Sequence, residues 1–244
     1  MTSLDDVFVG DLAWLAERFV IGPAGTPAAE MLDPDRLGSC IDRFQRHHGA
    51  AERSAAASLW SQFYFGGLIV PTVMAGMALD RVLPLRIDGL RLDLCPESGV
   101  PLRFRMDRTA DGKATPTVRA TLAPMLEGHV APLIDALRGV TGLSRRLLWE
   151  NAGWSLFWAL GEAVRRAPER QDEIDALLAD PSWPDGGRAL IAHMKRDMRQ
   201  VGAVQARRVC CRRYLVPGFQ RCAAICPLAD GLLSERECPA QRSA

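Results

Sequence analysis

The chain has almost no net charge, with 30 Lys and Arg against 29 Asp and Glu. Nothing global therefore points to nucleic acid or to an acidic partner, and partners must be argued locally. There is no glycine-rich phosphate loop, no dinucleotide fingerprint after a strand, no Ser-His-Asp order and no H-E-x-x-H run. These absences remove the commonest nucleotide, hydrolase and zinc-protease chemistries. The first residues, Met1-Thr2-Ser3-Leu4-Asp5-Asp6, lack the basic and then apolar pattern of a secretory signal, so a cytoplasmic protein is expected. In that reducing compartment the seven cysteines are read as ligands or core thiols rather than as disulfides, and their odd number agrees. No internal repeat, low-complexity tract or obvious linker is present.

From Ser54 to Leu79 charge is missing altogether, over a length that could cross a bilayer. Ser58, Ser61, Gln62, Gly66-Gly67 and Pro71 are expected to break this run into shorter helices. The flanking Glu52, Arg53, Asp80 and Arg81 show no one-sided positive bias. A buried core helix is the favoured reading. A segment spanning or resting on the membrane is the alternative, and it leaves peripheral contact with the inner face of the cell membrane open.

The periodicities predict an α+β fold, mainly helical, with a small antiparallel sheet over about residues 84–121. A capped amphipathic helix is expected from Ser3 to near Gly22, and a second from Asp33-Pro34 to Gly49. Asp88-Gly89 reads as a hairpin turn between Leu85-Arg86-Ile87 and Leu90-Arg91-Leu92. Leu102, Phe104 and Met106 alternate with Arg103, Arg105 and Asp107, and Thr117 to Thr121 could add a strand. Helical signals resume at about Leu122, include Ser144 to Ala167, and end in a helix over Arg188 to Val201 after a Pro/Gly loop at 181–187. The expected organisation is a mainly helical body with a small β-sheet insert over residues 1–200 and a cysteine-rich segment over 201–244, packed as part of the same domain.

That last segment carries the chemistry. Cys210, Cys211, Cys222 and Cys226 form C-C-x10-C-x3-C, with Val216-Pro217-Gly218 expected to turn the second pair back onto the first. Four thiolates suit zinc or an iron-sulfur cluster. Adjacent cysteines diverge in either regular conformation, so they serve separated iron positions better than one tetrahedral ion, which favours a cluster and leaves zinc open. Cys40 and Cys95 are expected to be packing thiols. His47-His48 reads as a helix end. His129 and His193 lack a second ligand at useful spacing, and no local histidine pair supports a Rieske-like site. Trp149, Trp154 and Trp158 read as core, with a ligand pocket as the alternative. Asn151 either bonds backbone or faces a cavity.

The run Arg207-Arg208-Val209-Cys210-Cys211-Arg212-Arg213-Tyr214-Leu215-Val216-Pro217-Gly218, with Cys222, Cys226, Pro227 and Leu228, resembles the C-terminal segment of FhuF-type ferric siderophore reductases. Ser58-Leu59-Trp60-Ser61-Gln62-Phe63-Tyr64 and Leu148-Trp149-Glu150-Asn151-Ala152-Gly153 resemble interior segments of that family. The resemblance implies an enzyme that uses a [2Fe-2S] cluster to reduce ferric iron in hydroxamate-type siderophores, with Cys210, Cys211, Cys222 and Cys226 as ligands. The family pattern ends in C-x2-C where this chain has C-x3-C, so Cys238 competes with Cys226 for the fourth position. Without a dinucleotide site, electrons are expected from a separate donor, a ferredoxin-like protein or reductase. Arg207, Arg208, Arg212, Arg213 and Arg221 would raise the cluster potential, orient a siderophore or acidic donor, or simply form a solvated face. A zinc-stapled or cluster-containing protein that binds or senses a siderophore or partner without turnover is the competing class.

Overall fold

The computed structural model describes residues 10–78, 80, 82–107, 117–179, 198–201 and 204–228. The architecture is α+β and mainly helical. The first described element is a 3-10 helix, Gly10–Arg18, running into strand β1, Phe19–Ile21. The amphipathic helix expected to reach Gly22 thus stops at Arg18, because Phe19 is taken into a sheet. Strand β2, Thr26–Pro27, precedes helix α1, Pro34–His48. Asp33 caps α1 by accepting the N–H groups of Asp35 and Arg36 at 3.1 and 2.9 Å, and Gly49 closes it in the left-handed conformation, both as the sequence predicts.

Helix α2, Arg53–Ala78, is continuous through Gly66, Gly67 and Pro71. The expected breaks do not occur, because the helix runs through the core: Trp60, Tyr64, Phe65, Leu68, Ile69 and Val73 are all fully buried. Tertiary packing on several sides outweighs the hydrogen bond that Pro71 forfeits. Among the described residues no helix is long and apolar enough to cross a membrane.

The sheet is mixed rather than antiparallel, in the order β1-β4-β3-β2, with β3 at Leu90–Leu94 and β4 at Pro101–Met106. β1 lies parallel to β4, whereas β3 pairs antiparallel with both β4 and β2. Two of its strands come from the N-terminal region, outside 84–121. The hairpin is formed by β3 and β4, and Ile87–Gly89 is a 3-10 turn leading into β3. Leu102 was expected inside with Phe104 and Met106. It is exposed, because the register shifts between Asp93 and Leu94 and the bulge turns it outward. The Thr117–Thr121 stretch belongs to helix α3, Val118–Met125, whose N-terminus is capped by the Thr117 hydroxyl.

A single π turn, Leu126–Val130, joins α3 to α4, Ala131–Thr141. Helix α5, Arg145–Arg166, starts at the Ser144 cap as expected and packs along α2, and α6 is Gln171–Ala179. Met198–Val201 is strand β5, paired antiparallel with β6, Val204–Arg207, so the expected final helix does not reach Val201. The 181–187 loop, His193 and Cys238 lie outside the described residues.

Candidate functional site: the cysteine segment on helices α2 and α5

After β6 the chain crosses the α2–α5 pair, and a buried polar network clamps it there. Glu150 of α5 has no solvent exposure. Its two carboxylate oxygens accept the backbone N–H groups of Arg208 at 2.6 Å and Val209 at 2.9 Å, the two residues just before Cys210. The Arg207 guanidinium, itself buried, lies 3.8 Å from the Glu150 carboxylate and donates to Asn151 Oδ1. Asn151 Nδ2 donates to the Ser58 carbonyl and to Ser61 Oγ. Ser58 Oγ in turn donates to the Cys211 carbonyl at 2.7 Å. Inside a protein a carboxylate needs such partners, because burying it bare is prohibitive. Of the two roles open to Asn151 from the sequence, it takes the first: it bonds backbone, and Arg207 as well. Glu150 beside it is a site residue that the sequence analysis does not single out. An acid next to an amide, flanked by Leu147-Leu148-Trp149 and Ala152, was the available signal, since such a pair must either break the apolar face or meet a buried partner.

The cysteine geometry follows from this clamp. Arg212 adopts the left-handed conformation, φ 60°, uncommon for a side chain of its size. That reversal lets its N–H donate to Cys210 Sγ at 3.4 Å and sends the chain into a short 3-10 turn, Arg213–Leu215. Val216-Pro217-Gly218 then forms the expected turn, with the Phe219 N–H on the Val216 carbonyl at 3.1 Å and Gly218 at φ 85°. The second pair does fold back. Cys211 Sγ and Cys222 Sγ are 3.2 Å apart, while Cys210 and Cys226 are buried together with Leu228, and Tyr214 and Cys222 pack against them. The Cys222 to Cys226 span is a 3-10 turn, Ala223–Ile225, rather than an α-helix, and it brings Cys226 inward.

Electrostatics at the pair are asymmetric. The Cys211 thiol is pulled down to about 5, first by the hydrogen bond from Cys222, then by the Arg207 guanidinium and the backbone N–H and charge of Arg213, against the cost of burial. Donating that same hydrogen bond, together with burial, pushes Cys222 up. The basic residues divide. Arg207 is a buried structural partner, which rules out a solvated or docking role for it. Arg208 and Arg221 are exposed, Arg212 donates to Ser54 Oγ, and Arg213 lies over the Phe219 ring at 5.7 Å.

Cys210, Cys211, Cys222 and Cys226, with a backbone N–H and guanidinium charge close to sulfur, have the donor chemistry of thiolate-bound metal groups, zinc and [2Fe-2S] clusters alike. Among the described residues no group of three or more His, Cys, Asp or Glu side chains is placed so that it could hold a metal ion.

Elsewhere, Cys40 is buried as expected and accepts from Arg43 at 3.3 Å. Cys95 is only half-buried and donates to Glu97 at 3.1 Å, because its strand ends there. His48, at the end of α1, packs at a tilt against the Phe44 ring and edge-on against that of Phe219. His129 sits in the π turn, fully buried, accepting from the Tyr64 hydroxyl at 2.7 Å and donating from Nδ1 to the Leu85 carbonyl at 3.2 Å. Trp149 is core, whereas Trp158 is 45% exposed.

Comparison with known proteins supplies a family. Residues 58–203 match the family described as ferric iron reductase FhuF-like transporter. That match includes Ser58, Ser61, Glu150 and Asn151, and it stops short of the cysteine run. The curated ferric siderophore reductase of Escherichia coli (strain K12) is 25% identical over 174 residues, 70% of this chain. The aligned part spans 65% of that relative's length. With the match extending over most of the chain, including both helices that clamp the cysteine segment, the protein belongs to the ferric iron reductase FhuF-like family.

Proposed function

We propose that this protein is a ferric-siderophore reductase: it delivers one electron to ferric iron held by a siderophore, of the hydroxamate type, and so releases ferrous iron. The observation that carries the reading is the pairing of Cys211 with Cys222 beside Cys210 and Cys226, held on α2 and α5 in a chain of this family. Ferric iron is a hard cation matched to oxygen donors, and ferrous iron holds them less tightly, so a single electron suffices and the organic ligand need not be broken.

Cys210, Cys211, Cys222 and Cys226 would hold a [2Fe-2S] cluster, which when bound exchanges single electrons. The Glu150 clamp fixes the path of the chain into Cys210, and the Ser58 hydroxyl fixes the Cys211 carbonyl. Arg212 and Arg213 place positive charge beside the sulfurs, which favours added negative charge there and raises the potential. Half-burial of Cys222 leaves one side of the segment open to solvent and substrate. The sequence lacks a dinucleotide fingerprint, so the electrons are assigned to a separate donor, a ferredoxin-like protein or reductase. Residence in the cytoplasm, with contact to the inner face of the membrane where imported siderophores arrive, belongs to the same proposal.

The test is iron, zinc and acid-labile sulfide content of anaerobically purified protein, with EPR spectra before and after dithionite. Reduced protein is then mixed with a ferric trihydroxamate and a ferrous chelator. Iron and sulfide in equal amounts, a reducible signal and its reoxidation by the ferric complex support the reading. Bound zinc without sulfide would move the protein to the binding class without turnover.

A further inference from the structure

Three large aromatic side chains are left in solvent on one face: Trp14 is 52% exposed, Phe63 42% and Trp158 45%. They are not scattered. All three line one groove of 230 Å³, together with the Gly66-Gly67 stretch of α2. Arg18 and Gln62 supply its polar rim, and Arg18 is the one charged residue lining it among the described residues.

The groove is built on the same two helices as the cysteine clamp. Gln62 is four residues beyond Ser58, about 6 Å along α2, and Trp158 is seven beyond Asn151, about 10 Å along α5. Phe63 belongs to both places: besides lining the groove, its ring lies 6.0 Å from that of Phe219, which sits three residues before Cys222. A molecule seated here is thus one ring away from the cysteine segment.

We propose that this groove is the docking site of the ferric siderophore, a deepening that rests on the reductase reading. Aromatic walls suit the apolar organic frame of such a ligand. The Arg18 guanidinium and the Gln62 amide donate to its oxygens, and among the described residues no carboxylate lines the groove to compete for the iron. At 230 Å³ the groove is smaller than the roughly 300 Å³ needed to enclose a drug-sized molecule, so it grips one side of the complex and leaves the iron-bearing side directed along Phe63 to Phe219. A protein donor calls for a broad surface of about 800 Å² rather than a narrow concavity, which disfavours it as occupant.

The probe is the gallium complex of desferrioxamine, which keeps the ligand shell of the ferric complex and cannot be reduced. Calorimetric titration of the full chain should give saturable binding. Trp158→Ala and Trp14→Ala should each weaken it about tenfold, Trp158→Phe should retain most of it, and Leu32→Ala, at another exposed apolar residue, should leave it unchanged. These side chains are solvent-facing, so the variants are expected to fold. No binding by the wild-type chain, or binding by Trp158→Ala and Trp14→Ala as tight as that of the wild type, overturns the proposal. Reduction of the ferric complex with unchanged KM in those variants overturns the groove and leaves the reductase reading standing. Groove-dependent binding of the gallium complex by a chain that reduces no ferric siderophore supports the groove and sinks the reductase reading.

Discussion

Glu150 accepts the backbone N–H of Val209 at 2.9 Å from a position with no solvent exposure, and thereby ties the residue before Cys210 to the middle of α5. Its second oxygen takes the neighbouring N–H of Arg208, so two consecutive amides are read by one carboxylate. Arg207 balances the charge. The cysteine pair is thus hung from the core, not from a loose tail.

Removing Glu150 should therefore do more than remove a contact. Glu150→Ala leaves Arg207 buried without its counter-charge and two amides unpaired, with an expected loss of about 3–5 kcal/mol in denaturant unfolding. Glu150→Gln keeps one acceptor and should lose less, and adding Arg207→Met to it should recover part of the difference. An alanine variant within about 0.5 kcal/mol of wild type would show that the clamp carries no stability.

Cys226 and Cys238 give opposite expectations as fourth ligand. Cys226 is 3% exposed and packed with Cys210, so Cys226→Ser should lower iron and sulfide content and change the EPR signal, while Cys238→Ser should leave both intact. The reverse pattern would assign the fourth position to Cys238 and leave Cys226 a packing thiol.

The buried His129 makes stability depend on acid. Burial pushes it down to about 4, against a weaker upward pull from the Leu85 carbonyl, from an ordinary value of 6.5. The unfolded chain takes up a proton before the folded chain does. The contribution is therefore fully present above about pH 6.5 and is lost progressively as pH falls towards about 4, by on the order of 3 kcal/mol. Urea unfolding across that window should show the loss, and His129→Gln should flatten it. An equally steep acid dependence in the variant would place its origin in other groups.

Gly76 of α2 is where α3 comes closest: a Cβ built there would overlap the Thr121 side chain. In an exposed helix Gly→Ala gains up to about 1 kcal/mol. Here Gly76→Ala should destabilise by about 1–3 kcal/mol through overpacking, and Thr121→Ala should relieve much of it. Thermal melts of the two single variants and the double decide the point. A Gly76→Ala protein more stable than wild type would mean that the two helices separate easily.

Much of the fold was legible where the signal is local. Asp33-Pro34 and Gly49 delimit α1 because caps act through neighbouring backbone groups. Ser144 marks the start of α5 for the same reason. The failures have one cause, partners distant in sequence. β1 joins the sheet through Phe104, 85 positions away, and no periodicity in Phe19-Val20-Ile21 announces that pairing. Pro71 reads as a break, yet α2 continues because its neighbours bury it. At the site, Cys210, Cys211, Cys222 and Cys226 were legible as residue types at a spacing, whereas Glu150 was not, since nothing near it in the chain reveals that its partners are the amides of Arg208 and Val209.

By itself the sequence determined the mainly helical class, the cysteine quartet and the Val216-Pro217-Gly218 turn between its pairs, because propensity, capping and turn chemistry operate over a few residues. Only the tertiary structure decided that the sheet is mixed, that Arg207 is an interior partner and not a surface charge, and that Trp14, Phe63 and Trp158 share one groove beside the cysteines. Those outcomes depend on which buried groups must satisfy one another across the fold, a condition that exists only once the helices have packed.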